Sequence, residues 1–179
     1  LQPITQAQDW SRQTFSFALA VQNLSWGVMG VFAGMLADKL GAAKVLMLGA
    51  VFYALGMVGM ALSTTPLMFA LTTGVLIGAA HAGTTYAVIY GVIGRQISAE
   101  KRSWAMGVAA AAGSFGQFLM VPVEGQLIAH LGWQNALLAL AAAALIIAPL
   151  ATFLREPRHT TGQAHREQSI AQAVAEAFR

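Results

Sequence analysis

Five apolar stretches of about twenty residues or more recur along this 179-residue chain, separated only by short polar breaks. They run from about 15 to 37, 45 to 63, 67 to 94, 103 to 129 and 135 to 154. A helix of about 20 residues crosses the roughly 30 Å hydrocarbon core of a bilayer, so each stretch is long enough to span it. Inside lipid the backbone must satisfy its own hydrogen bonds, which at these lengths selects helices. Charged residues make up 9% of the chain and hydrophobic ones 57%, more apolar surface than one water-soluble core of this size can hide. The expected fold class is an all-α, polytopic membrane protein. A five-span helical bundle would occupy 15–154, between a polar extracytoplasmic loop at 1–14 and a polar segment at 155–179. Thr65 followed by Pro66 reads as a helix start, with the threonine as N-cap and the proline in the first turn. Short connections make successive helices antiparallel neighbours.

The bases orient the bundle. Lys39 and Lys44 follow the first stretch, Arg95, Lys101 and Arg102 the third, and Arg155, Arg158, Arg166 and Arg179 the fifth. Nine of the ten Lys and Arg thus fall on one side and Arg12 alone on the other. The positive-inside rule puts the nine-base side in the cytoplasm, with the start of the chain outside and the tail inside. A plasma membrane follows as the setting, a bacterial inner membrane foremost. In the tail, Ser169 and Gln172 stand at capping-box spacing. Ile170, Val174 and Phe178 recur every four residues, the pattern of a short amphipathic helix in a cytoplasmic linker. The polar opening has no start methionine or signal sequence and reads as an interhelical loop of a longer chain.

Several function classes drop out. The chain has no cysteine, so neither disulfides nor a Cys-based metal site are available. No paired carboxylates, histidine cluster or Ser–His–Asp set can be placed at a common depth, so no enzyme chemistry, metal or cofactor is expected. The bases follow topology and are not interleaved with aromatics, so nucleic acid is not an expected partner.

"GMLADKLGAAK", residues 34–44, gathers one acid, two bases and two glycines between two apolar stretches. Gly27, Gly30 and Gly34 recur at three and four residues, a small-residue stripe that would let another helix approach closely. Asp38 stands at a membrane edge, where it could face the positive end of a neighbouring helix. Gly41 can take the positive φ of a tight turn. The ordered Gly34-x-Leu36-Ala37-Asp38-Lys39-x-Gly41 resembles the signature loop of the major facilitator superfamily of secondary transporters. The resemblance implies that this loop joins the second and third helices of an N-terminal half. It also implies an ionic latch between two halves, with Asp38 as its acid, Lys39 and Lys44 as bases, and Gly34 and Gly41 as steric permissions. Two bases often follow the second glycine in the family; Ala42 and Ala43 stand there in this chain.

A second resemblance lies further on. Lys101-Arg102, Ala105-Met106-Gly107, the small-residue run from Ala109 to Gly116, Pro122 and Gly132-Trp133 are similar to the fifth helix and flanks of the monocarboxylate and oxalate/formate-type branch. Trp104 stands where that branch usually has leucine, and Gln134 where it has arginine. Together the two resemblances number the spans as helices two to six. They imply as partners a first helix and a C-terminal half belonging to the same protein.

Polar groups inside spans are the remaining candidates, because ionisable groups there are costly and often functional. Glu124 is an acid within the fourth stretch, near its outer end, and a candidate for proton coupling. His81 is midway along the third stretch. Gly74, Gly78, His81 and Thr85 are spaced four, three and four residues apart and would share a helix face. By resemblance that helix lines the central cavity, so His81 and Thr85 are candidates for substrate contact. Gln117, with Gln22 and Asn23, could bond across helices. The functional expectation is a secondary active, alternating-access transporter of a small organic solute, with a monocarboxylate or other organic anion in first place. Drug or sugar efflux, or a non-transporting sensor or assembly subunit, is the alternative.

Overall fold

The computed structural model describes residue 4 and residues 7–154; the amphipathic tail helix, Arg155 and the bases beyond it lie outside the described residues. Among the described residues the chain is helical throughout, with no strand. Four helical runs are long and apolar enough to cross a membrane: Arg12–Leu40, Ala42–Ala61, Pro66–Gln96 and Ala99–Ala151.

Helix α1, Arg12–Leu40, starts where the Ser11 hydroxyl accepts from the Thr14 amide at 3.3 Å. It ends at Gly41, whose φ of 90° turns the chain directly into α2, Ala42–Ala61. The expected loop "DKLGAAK" therefore shrinks to one residue: Asp38, Lys39 and Leu40 stay helical, and so do Ala42 to Lys44. Glycine tolerates that positive φ, so a single residue can break the helix.

The third run is composite. Helix α3, Pro66–Phe69, is capped as its sequence predicts, with the Thr65 hydroxyl accepting from the Met68 amide at 3.2 Å. Ala70–Leu76 follows as π-helix, then α4, Ile77–Thr84. Thr85, at φ −90° and ψ 173°, is extended and separates α4 from α5, Tyr86–Gln96. An extended residue in a span frees carbonyls of the turn before it. The Thr85 hydroxyl reaches one of these, the Ala82 carbonyl, at 3.4 Å, and the Thr84 hydroxyl adds a second donor to the Ala80 carbonyl of the last turn at 3.0 Å. Hydroxyls at such points are one way a broken helix survives in lipid.

Helix α6, Ala99–Ala144, continues through two turn residues into α7, Ile147–Ala151. A straight helix of 53 residues would be about 80 Å long, far beyond a bilayer core. The run instead breaks at Gly132 (φ 75°, ψ 163°). Gln134, just after the break, donates to the Ala61 carbonyl at the end of α2. Ala151 packs with Ala37, Ala42 and Val45 at the other end. Residues 99–131 thus leave the Gly41 end of the bundle, and residues 133–151 return to it.

The core has two centres. At the Gly41 end, Ala37, Ala42, Val45, Leu46, Val88, Val92 and Ala151 cluster. At the opposite end, Ile4, Ala18, Phe69 and Ala70 do so, and Trp10 and Phe15 each lie 5.4 Å from the Phe69 ring. Between them, helices approach closely at glycines, against backbone or side chain of the neighbour. A Cβ on Gly78 would meet the Gln22 carbonyl at 2.7 Å, and one on Gly56 would meet Ile77 at 2.5 Å. The expected contact stripe at Gly27, Gly30 and Gly34 is placed differently: no described atom lies within 4 Å of a Cβ at any of the three. Close packing within the described bundle uses the glycines of α2, the π-helical turn and α4.

Candidate functional site

Two places bring together residues that the sequence singled out. The first is the Gly41 end. There the Arg95 guanidinium stands 3.3 Å from the Asp38 carboxylate, tying the last turn of α5 to the last turn of α1. The Asp38 side chain is 73% exposed and that of Arg95 36%, so the pair sits at a wet edge where each partner can be exchanged. On sequence alone Arg95 is a topology marker and nothing more. Its signal was its place in the last turn of a span, on a helix adjacent to the one that carries the acid. Lys39 and Lys44, expected as latch bases, are both exposed, and neither is the ion-pair partner of Asp38. Lys39 instead lines an apolar groove between α1 and α2. Gly34 is half-buried on α1, and Gly41 makes the turn described above.

The second place is a cavity of about 360 Å³ beside the Thr85 break. His81, Thr85 and Gln117, three of the intramembrane candidates, line it together with Trp26 and Tyr86. α1 supplies Trp26, α4 supplies His81, the break supplies Thr85, α5 supplies Tyr86, and residues 99–131 supply Gln117. His81 is held between two aromatic rings, with Trp26 at 5.7 Å and Tyr53 edge-on at 5.2 Å. No carboxylate, lysine or arginine is in the lining.

The expected common face of Gly74, Gly78, His81 and Thr85 comes apart. Gly74 and Gly78 pack on Val21, Gln22 and Ser25 of α1, whereas His81 faces the aromatic pair and Thr85 leaves the helix. A face defined by α-helical spacing does not survive a π-helical turn at one end and an extended residue at the other. Glu124 is exposed and stands outside the cavity. It is seven residues, two turns, beyond Gln117 on the same helix.

Sequence alone did not single out Tyr86 for the part it plays. Its ring stacks on Tyr90 at 5.4 Å, and its hydroxyl reaches the Ala110 carbonyl at 3.4 Å. A Cβ on Gly113 would collide with that hydroxyl. Tyr86 is thus the bridge by which residues 99–131 hold to α5 across the cavity. Among the described residues no group of three His, Cys, Asp or Glu side chains could hold a metal ion.

A bundle of long apolar helices with an aromatic-lined recess beside a mid-span break is the architecture of a multi-pass membrane protein. The family model of the Major Facilitator Superfamily matches residues 1–179, and the chain belongs to that superfamily, whose members are transporters. Comparison with curated proteins finds no match.

Proposed function

We propose that the cavity formed by Trp26, His81, Thr85, Tyr86 and Gln117 is this bundle's share of the binding site for a small organic solute carried across a plasma membrane. The observation that carries this reading is the convergence of three in-span polar residues on one recess, at the point where the third run is broken. His81 is midway between Pro66 and Gln96, so the recess lies near the middle of the bilayer, the depth at which secondary transporters bind their cargo beside discontinuous helices. Asp38 and Arg95 mark the cytoplasmic end in this reading. Their wet ion pair is a contact that alternating access would make in one state and break in another. The resemblance of residues 101–133 to the monocarboxylate and oxalate/formate-type branch makes an organic anion the first cargo to test, with a facing half-bundle supplying its counter-charge.

The test is transport by the full-length protein in vesicles of known orientation, against panels of labelled organic acids, sugars and hydrophobic cations. Saturable transport of one panel, with KM changed by Thr85→Val and by Gln117→Leu, supports the site. Saturable transport with KM unmoved by both changes removes this cavity from the binding site. Transport of no solute supports a sensor or assembly role for the bundle.

A further inference from the structure

The groove that takes in Lys39 has no part in the reading above. It holds about 450 Å³ between α1 and α2, and α4 forms its floor. Met29 and Phe32 on one wall and Leu48 and Phe52 on the other are apolar, and Gly83 lies at the bottom. The recess is deep because Gly83 and Gly49 meet there without side chains: a Cβ on Gly83 would lie 3.3 Å from the Gly49 Cα. Lys39 is the one charged residue in the lining. Asp38 is turned to Arg95, so Lys39 has no carboxylate partner among the described residues.

Length and charge together name an occupant. From Lys39 to Met29 is ten residues, about 15 Å along the helix, which is one leaflet of a roughly 30 Å hydrocarbon core. An apolar trough one leaflet deep, with an ammonium group at its headgroup end, matches a phospholipid with its acyl chain in the groove and its phosphate at Lys39. Long basic side chains near helix ends reach out to that level, and one base near an anionic surface adds about 1 kcal/mol. Phe32 is 55%, Leu48 43% and Met29 40% exposed, so the walls are open along their length, and methionine adapts to a flexible chain.

We infer that the α1–α2 groove is a binding site for an anionic phospholipid of the cytoplasmic leaflet, with Lys39 holding the headgroup phosphate.

The full-length protein, stripped of lipid in detergent, is titrated with phosphatidylglycerol, phosphatidylcholine or soluble glycerol phosphate, and bound lipid is counted by native mass spectrometry. The expected result is retention of one phosphatidylglycerol, preferred about five-fold over phosphatidylcholine, the factor one base confers. Glycerol phosphate should not compete, because the acyl chain is part of the ligand. Lys39→Gln should abolish the preference while leaving phosphatidylcholine binding intact. Ala33→Trp, which fills the groove, should lower retention of both lipids with helix content unchanged by circular dichroism. Equal retention of both lipids by the unaltered protein, an undiminished preference in Lys39→Gln, or competition by glycerol phosphate would overturn the proposal. If Ala33→Trp alters helix content, Ala33→Leu replaces it; undiminished retention in a folded groove-filling variant also overturns the site.

Discussion

Arg95 and Asp38, 57 positions apart in sequence, meet at 3.3 Å where α1 and α5 end. The contact lies inside the bundle, between its first and third helical runs. Asp38 is therefore paired within the described bundle itself. A pair this exposed adds roughly 0.2–1 kcal/mol to stability.

Asp38→Asn should therefore leave the melting temperature of the full-length protein nearly unchanged, by about 1 kcal/mol or less, while lowering transport. Vesicle uptake and a detergent melting curve measured on the same preparation separate the two. The exchange Asp38→Arg with Arg95→Asp should recover part of the lost transport. A melting temperature that collapses in Asp38→Asn would make the pair structural.

Gly113 and Tyr86 form a second interlocking pair. Alanine at 113 would put a methyl group where the Tyr86 hydroxyl now lies, forcing the tyrosine off the Ala110 carbonyl. Overpacking of this kind costs about 1–3 kcal/mol. Gly113→Ala should lower thermal stability, and adding Tyr86→Phe should restore most of it by removing the colliding oxygen. Additive losses in the double variant would show that the two positions do not share a constraint.

Glycine contacts give a sharper contrast. Alanine at Gly78 would meet the Gln22 carbonyl and the Ser25 side chain at 2.7 Å, whereas alanine at Gly94 meets nothing within 4 Å. Gly78→Ala should destabilise by about 1–3 kcal/mol. Gly94→Ala should be neutral or stabilising by up to about 1 kcal/mol, because alanine loses less backbone freedom in a helix. Unfolding in a detergent titration distinguishes them, and equal costs would contradict the packing described.

Hydropathy and length exposed the all-α character, and the Thr65-Pro66 start is in the structure as the sequence predicts. Those features are local or additive: twenty apolar residues need a membrane wherever they stand, and a capping threonine acts on its own first turn. The Asp38–Arg95 pair was not legible, because which base meets the acid depends on how α5 lies against α1. The shared face of Gly74, Gly78, His81 and Thr85 assumed one regular helix. The π-helical turn and the extended Thr85 are set by tertiary packing, and no spacing rule announces them. His81, Thr85 and Gln117 were each visible as polar residues in spans. Their convergence was not, because Gln117 comes from a helix whose position is fixed by Tyr86 and Gly113.

The break at Thr85 yields the last prediction. The last turn before the break is braced by a side chain: the Thr84 hydroxyl donates to the Ala80 carbonyl at 3.0 Å, beside the backbone bond of the helix. Thr84→Val keeps the branched shape, including the methyl group facing Gly49, but removes the donor. One such hydrogen bond contributes about 0.6–1 kcal/mol in a membrane protein, so the loss should be of that size and confined to the break. Amide hydrogen exchange in detergent should quicken several-fold at residues 80–84 and hold steady in α2. Thr84→Ser retains the hydroxyl and should exchange like the unaltered protein. Were valine and serine to behave alike, the hydroxyl would not be what holds the end of α4 together. The glycine contacts at Gly49 and Gly83 would then have to hold the broken helix by packing alone.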